Sequence, residues 1–181
     1  MVRRVTLLMS AMGIAMLLAS GVALAATLEG TSAPDTLVGT NGPDDIRGRG
    51  GDDTVSGLGG IDRLRGDGGN DTVSGGPGGS PDRRERVEGN IGNDTLSGDE
   101  GADEVRGDTG NDDMRGGDGA DLIRADDSGT DLVSAGSGDD VIDAHDDPGV
   151  DTIDCGDGID TVDFDAGVDV VADNCENRDP H

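Results

Sequence analysis

The chain has almost no aromatic residues. Among its 181 residues there is one phenylalanine, Phe164, and no tryptophan or tyrosine. Aromatic side chains bury large apolar areas and dominate the cores of most globular domains. Their scarcity, together with a hydrophobic fraction of only 31%, excludes a conventional thick core. Low hydrophobicity with a high net charge is typical of disordered chains, so an ordered structure here would need another source of stability.

Positive charge is also scarce. The chain has no lysine, and its 13 arginines face 40 acidic residues, which gives a net charge of −27. Such a surface repels both phosphate backbones and anionic lipid headgroups. We therefore expect no nucleic-acid partner and no membrane insertion of the mature chain.

Residues that carry enzyme chemistry are few. The two histidines, His145 and His181, are far apart in the sequence and outside any zinc-ligand pattern, so we interpret both as surface residues. No G-x-S-x-G nucleophile motif, P-loop or complete EF-hand loop occurs. The sequence therefore predicts a protein that is not an enzyme.

What the sequence does contain is a period of nine. Residues 89–124 form four consecutive nonapeptides with glycine at the first and fourth positions, aspartate at the sixth and an aliphatic or Met side chain at the eighth. The three residues after the aspartate predict a short strand whose middle side chain points to one face. The glycines allow the turns between strands. Two nonapeptides then make one flattened coil, with the eighth-position side chains meeting in a thin apolar seam.

The same period extends over about fifteen repeats from about residue 30 to residue 172, which predicts an all-β, parallel β-roll (β-solenoid) of about seven coils. Between residues 75 and 88 the period is broken by extra residues, which predicts a loop insertion at about 77–86 with Glu85 in the aspartate position. The sixth-position aspartates are Asp35, Asp44, Asp53, Asp62, Asp71, Asp94, Asp103, Asp112, Asp121, Asp131, Asp140, Asp151, Asp160 and Asp169.

Stacking should bring these aspartates together. Turns of every second repeat share an edge of the coil at the inter-strand spacing of about 4.8 Å. Two carboxylates about 5 Å apart repel by about 3 kcal/mol at an effective dielectric constant of about 20, so we expect the fold to need a divalent cation. Carboxylate and carbonyl oxygens together suit Ca²⁺. The best-placed pairs are Asp44 with Asp62, Asp53 with Asp71, Asp94 with Asp112 and Asp103 with Asp121.

This nonapeptide resembles that of the repeats-in-toxin, or hemolysin-type, calcium-binding family. The resemblance implies a parallel β-roll that binds several Ca²⁺ ions. It also implies that carbonyl oxygens at the first and third positions complete each coordination shell around the sixth-position aspartates. Glycine is lost from the first position of the last repeats, at Ala135, Ala144, Cys155 and Phe164, where the pattern supports metal binding less well.

The first 25 residues differ from the rest. Arg3 and Arg4 precede an apolar run over residues 5–18, and Ala23-Leu24-Ala25 supplies a small-x-small cleavage pattern, which predicts a signal peptide over residues 1–25. A membrane span would need about 20 apolar residues without that pattern. The sequence leaves open whether export follows the general secretory or the twin-arginine route. The mature protein, residues 26–181, is predicted to be secreted, whereas members of the resembling family usually leave through a C-terminal signal.

The two cysteines lie near the C-terminus. Cys155 and Cys175 fall in repeats that share an edge, so we expect them in stacked turns, close enough for a disulfide. The bond would close a loop of about 20 residues, contribute about 3 kcal/mol and cap the roll at residues 173–181. Two unpaired thiols would be unusual in a secreted chain.

The sequence thus predicts a secreted, non-enzymatic Ca²⁺-binding β-roll with a structural or extracellular scaffold role. The alternative is a cell-surface adhesion or interaction module. In that module the 77–86 loop or the arginine-bearing flanks contact a partner, and Ca²⁺ stiffens the scaffold. The sequence does not name the partner.

Overall fold

A computed structural model describes residues 25–77, 84–126, 128–145 and 149–181, and the backbone of residues 5–8. The described residues form two parallel sheets. The first sheet has ten strands, in the order β1 (Val5–Leu8), β2 (Ala26–Glu29), β4 (Asp45–Gly50), β6 (Arg63–Gly68), β8 (Glu85–Ile91), β10 (Asp103–Thr109), β12 (Leu122–Arg124), β14 (Val141–Ala144), β16 (Thr161–Phe164) and β18 (Asn177–Pro180). The second has eight, in the order β17 (Val170–Val171), β15 (Thr152–Asp157), β13 (Leu132–Ser137), β11 (Asp113–Asp118), β9 (Thr95–Glu100), β7 (Thr72–Pro77), β5 (Thr54–Ser56) and β3 (Thr36–Val38).

The chain alternates between the two sheets, and each strand pairs with the strand one coil earlier and one coil later. This is the predicted β-solenoid, and the all-β, parallel fold class is confirmed. The roll has about eight turns rather than the seven predicted. The difference arises because β2 and β18, which flank the counted repeats, also join the first sheet. The described part of the chain holds no helix of the length and apolar character needed to cross a membrane.

The core is a single seam of eighth-position side chains between the sheets. From Leu28 to Val162 these residues are at most 5% exposed, and Val171 packs partly buried against the end of the seam. In three-residue strands such as β5, only the middle side chain is buried. The buried members are Leu28, Leu37, Ile46, Val55, Leu64, Val73, Val87, Leu96, Val105, Met114, Ile123, Val133, Ile142, Ile153 and Val162.

The register continues across the predicted insertion. Leu64 pairs with Val87, and Glu85 pairs with Asp103, as expected if Glu85 takes the aspartate position. Most of the predicted 77–86 loop, residues 78–83, lies outside the described residues. Of the predicted signal peptide, residues 1–4 and 9–24 also lie outside them, and Val5–Leu8 forms β1 beside β2.

The C-terminal end is held by the predicted disulfide. Cys155 and Cys175 are bonded, with Cα atoms 5.3 Å apart, and both side chains are buried at the end of the seam. Beyond Cys175, β18 pairs with β16 and extends the first sheet. The last residues of the chain therefore belong to the sheet itself.

The outer faces of the two sheets differ. On the ten-stranded sheet, arginines pair with acids of neighbouring coils, as in Arg65–Glu88 and Arg86–Glu104, both with nitrogen–oxygen distances of 2.8 Å. On the eight-stranded sheet, exposed threonines lie in register over four coils, at Thr36, Thr54, Thr72 and Thr95. Arg86, which lies at the end of the predicted loop, thus already has an acidic neighbour within the roll.

Candidate metal centre

The sixth-position acids form two ladders, one along each edge of the roll. In the first ladder, each backbone N–H donates to the Oδ1 atom of the aspartate one coil further on, over seven hydrogen bonds of 2.7–3.0 Å. Its members are Asp35, Asp53, Asp71, Asp94, Asp112, Asp131, Asp151 and Asp169. The stacking predicted for Asp53 with Asp71 and for Asp94 with Asp112 is therefore present.

The second ladder repeats this arrangement on the opposite edge. Its members are Asp44, Asp62, Glu85, Asp103, Asp121, Asp140 and Asp160. The Asp44–Asp62 and Asp103–Asp121 pairs lie where they were predicted, each joined by an N–H to Oδ1 hydrogen bond of 2.8 Å. The ladder ends at Glu176, whose Oε2 accepts from the backbone N–H of Asp160 at 3.0 Å. The nine-residue spacing does not predict Glu176 as a ladder member, because Glu176 does not occupy a sixth position.

The second carboxylate oxygen of most ladder acids has no donor. These oxygens are buried and lack a hydrogen-bond partner among the described residues. Burying a carboxylate oxygen without a partner is expensive, and a bound cation is the partner that acceptor-only groups require. The oxygens belong to Asp53, Asp62, Asp71, Glu85, Asp94, Asp103, Asp112, Asp121, Asp140 and Asp160.

First-position glycines leave space beside these oxygens. A methyl group at Gly98 would lie 2.7 Å from Oδ2 of Asp103 and 2.7 Å from the carbonyl oxygen of Gly116 on the next coil. Carboxylate and carbonyl oxygens therefore converge on the volume that a side chain at this position would fill. This donor set fits Ca²⁺, which takes several oxygen ligands of both kinds. In the late repeats, the first position holds Ala135 and Ala144, whose methyl groups are buried. These are the repeats in which the loss of glycine predicts weaker metal binding.

Burial makes these carboxyl groups hard to ionise without a cation. It raises the pKa of Asp62 and Asp94 to about 7, with further contributions from neighbouring carboxylates. The pKa of Glu85 rises to about 8, chiefly through burial and then through the charges of Asp62 and Asp103. A metal-free roll therefore retains protons near neutral pH, and a cation that binds must displace them.

The first two turns satisfy their aspartates differently. Oδ2 of Asp35 accepts from the backbone N–H of Thr31 at 2.6 Å and from its hydroxyl at 2.9 Å. Thr40 donates its backbone N–H to Oδ2 of Asp44 at 2.5 Å. Near the other end, Oδ2 of Asp169 accepts from the backbone N–H of Asp165 at 2.8 Å. These three aspartates were predicted as metal ligands, yet each has protein donors on its second oxygen.

A sequence signal for this difference exists. The first two repeats carry threonine at the second position and proline, Pro34 or Pro43, at the fifth. Most later repeats hold the second position at a positive φ, as at Arg49 (φ 79°) and Asn90 (φ 80°). Threonine, being β-branched, disfavours that conformation, and a proline keeps the preceding residue extended. The pattern T-x-x-P-D thus predicts a turn in which the threonine donates to the second oxygen of the aspartate, which we call a threonine-closed turn.

A further ladder at the fifth position was also missed. Side-chain oxygens of Asp52, Asn70, Asn93 and Asn111 each accept a backbone N–H from the fifth position of the next coil, at 2.8–2.9 Å. Recurrence of Asn or Asp at this position is the signal that could have revealed it. These exposed bonds hold successive turns in register, which keeps the sixth-position oxygens aligned.

Comparison with known proteins identifies a family of calcium-binding repeats. The model of the RTX calcium-binding nonapeptide repeat matches in four copies, at residues 29–64, 47–79, 86–124 and 126–162. No curated protein and no solved structure shows significant similarity to the chain. The four matches cover more than half of the chain and include most members of both acid ladders. The chain therefore belongs to the RTX calcium-binding nonapeptide repeat family.

Proposed function

We propose that the mature chain is a secreted, non-enzymatic protein whose roll binds several Ca²⁺ ions and serves as an extracellular structural scaffold. The observation that carries this proposal is the row of buried carboxylate oxygens without donors along both edges. The family supports calcium as the cation.

Each ion would be held between two successive coils of one edge. The second oxygens of neighbouring ladder acids, such as Asp94 and Asp112, supply the carboxylates, and first-position carbonyls supply the neutral oxygens. Bound Ca²⁺ supplies the positive charge that lets these carboxylates remain ionised inside the roll. Thirteen stacked pairs set an upper limit of about +26 on the charge that bound Ca²⁺ can bring, and the pairs that include Asp35, Asp44 or Asp169 lower it. Residues 26–181, with 11 arginines and 40 acidic residues, carry a net charge of −29.

Secretion is supported by three features. The predicted signal peptide directs the chain out of the cytoplasm. The Cys155–Cys175 disulfide suits an oxidising compartment. RTX repeat proteins are typically secreted. A chain that folds only with Ca²⁺ would remain unfolded during export. It would fold when it meets Ca²⁺ outside the cell.

Calcium titration of purified residues 26–181, treated first with EGTA, tests the proposal. We expect far-UV circular dichroism to change from a disordered to a β spectrum as Ca²⁺ is added, and calorimetry to report several ions per chain. Mg²⁺ is the matched control, because its strict octahedral geometry and shorter bonds suit these sites poorly. A β spectrum that persists in EGTA at pH 8, or an equal response to Mg²⁺, would contradict the proposal.

The alternative role in adhesion stays a prediction. It places the contact in the 77–86 loop, of which residues 78–83 lie outside the described residues. Deleting residues 78–83 tests it. Loss of binding to cells or matrix, with the calcium response retained, would favour adhesion, and unchanged binding would reject it.

A further inference from the structure

Both histidines of the chain come together at one point near the end of the ten-stranded sheet. The sequence places them far apart and predicts that both are surface residues. In the structure their ring centroids are 5.0 Å apart, although His145 follows β14 and His181 follows β18. Between them lies β16, which pairs with both strands. Parallel stacking thus assembles a histidine pair that the sequence separates.

Two aspartates complete the cluster, which we call the histidine cluster: Asp143, His145, Asp163 and His181. Asp143 and Asp163 are register partners in β14 and β16. The Nδ1 atom of His145 lies 3.0 Å from Oδ1 of Asp143 and 3.7 Å from Oδ2 of Asp163. On the other side, Nε2 of His181 lies 3.0 Å from Oδ1 of Asp163.

These distances suit a single small ion. Ligands bound tetrahedrally at about 2.1 Å lie about 3.4 Å from one another, between the two distances measured from Nδ1 of His145. One nitrogen of His145 and one oxygen from each aspartate all lie within 4.8 Å of one another. The side chains of Asp143, His145 and Asp163 are about one-third exposed, at 30–35%, so an ion can enter from solvent.

The cluster is separate from the calcium ladders. Asp143 and Asp163 occupy the ninth position of their repeats and lie on the outer face of the sheet, whereas the ladder acids occupy the sixth position in the turns. The backbone around His181 is anchored, because its N–H donates to the carbonyl of Phe164 and its carbonyl accepts from the N–H of Ala166, both at 3.0 Å. These backbone hydrogen bonds therefore fix the position of His181 next to the sheet.

We propose that the histidine cluster is a site for a divalent transition-metal ion of the zinc class. His145 binds through Nδ1 and Asp143 and Asp163 through one oxygen each, with water at the remaining position. Nε2 of His181 lies beside the second oxygen of Asp163 and would orient that carboxylate once an ion is bound. Imidazole nitrogen selects zinc-class ions over Ca²⁺ and Mg²⁺, which prefer oxygen ligands. The roll would thus carry two chemically different kinds of metal site.

Zinc titration in saturating Ca²⁺ tests this inference on the full mature chain. We expect one Zn²⁺ to bind well above any weak background from surface carboxylates. His145→Gln removes a ligand and should weaken binding at least tenfold. His181→Gln should weaken it about tenfold, because outer-shell partners typically contribute 10–100-fold in metal affinity. Circular dichroism in Ca²⁺ confirms that each variant is folded.

Asp154→Asn is the matched control, since Asp154 occupies the same ninth position on the opposite sheet, in β15. It should leave Zn²⁺ affinity unchanged, whereas Asp163→Asn should lower it at least tenfold. Co²⁺ in place of Zn²⁺ should show visible absorption bands that are lost in His145→Gln. Zinc binding that is absent, or that survives unchanged in His145→Gln, would overturn the proposal.

Discussion

The turns of the first two repeats and the turns of the central repeats use the same aspartate in different ways. In the first two, Thr31 and Thr40 donate to the second oxygen of Asp35 and Asp44. In the central turns, that oxygen is buried and has no donor, as at Asp94. The backbone differs accordingly, because the central turns pass through a positive φ at the second position, as at Asp108 (φ 68°).

The difference shows that the sixth-position aspartate does not define a metal ligand by itself. Its second oxygen needs a partner, and either a threonine of the same turn or a cation can supply one. The threonine-closed turns satisfy their carboxylates within the protein, so they can form without metal. We expect the central turns to depend on an ion.

Acidification should replace the metal in the central turns, and this is the largest effect we expect. The folded pKa values of Asp62 and Asp94, about 7, lie above their ordinary value of 3.8. The folded state then binds protons more tightly than the unfolded state. The stability that these protonated groups contribute to the metal-free roll is fully present below about pH 4, declines as the pH rises and is lost once the pH passes the folded pKa of about 7.

Circular dichroism measures this dependence on a chain that has been freed of calcium with EGTA at pH 8 and then exchanged into calcium-free buffers across this pH range. The β spectrum should be present at about pH 4 and absent at about pH 8, where added Ca²⁺ restores it. A metal-free chain that is equally folded at both pH values would contradict the burial of these carboxyl groups.

Neutralising one central aspartate should remove up to two ions. Asp94→Asn keeps the oxygen that accepts from the backbone of Asp71 but lacks the negative charge shared with Asp71 and Asp112. Asp35→Asn is the matched change in a threonine-closed turn, and it should leave the number of bound ions unchanged. Calorimetric titration with Ca²⁺ counts the ions in both variants. Equal losses would show that the two kinds of turn bind metal alike.

A methyl group at the fourth position should destabilise the central turns, whereas the first turn already carries one. Gly110 has a φ of 137°, and a Cβ there would overlap the carbonyl of Gly92 on the neighbouring coil. We expect Gly110→Ala to lower the free energy of unfolding in Ca²⁺ by at least about 2 kcal/mol. The first repeat already has Ala33 at this position, and Ala33→Gly should destabilise by only about 0.5–1 kcal/mol through the unfolded chain. Urea unfolding in Ca²⁺ compares the two.

Removing one threonine hydroxyl should have the smallest effect. Thr31→Val eliminates the hydroxyl bond to Asp35 but keeps the backbone N–H bond to the same oxygen. We expect a loss of about 1 kcal/mol with an unchanged number of bound Ca²⁺ ions. The matching change Thr95→Val, on an exposed strand position, should have little effect. A gain of one ion in Thr31→Val would show that threonine and metal compete for this carboxylate.

Much of the fold could be predicted from the sequence because the period is strict. Leu96 and Met114 are buried where the eighth position requires, and Val87 joins them despite the inserted residues. The Cys155–Cys175 bond followed from counting repeats along one edge. The two acid ladders followed in the same way.

Other parts of the site were not predictable from counting. Glu176 is the last acid of the second ladder although it does not occupy a sixth position. The disulfide-linked segment that contains it departs from the nine-residue period. His145 and His181 meet because β14, β16 and β18 stack side by side, although no motif links the two histidines.

By itself, the sequence determined which side chains face the seam and which face the turns, because backbone direction in strands and glycine turns follows local spacing. Only the tertiary structure decided which carboxylate oxygens find a donor. That outcome depends on the turn conformation and on atoms of the next coil, which lie about twenty residues away along the chain but only one strand spacing, about 4.8 Å, away in space.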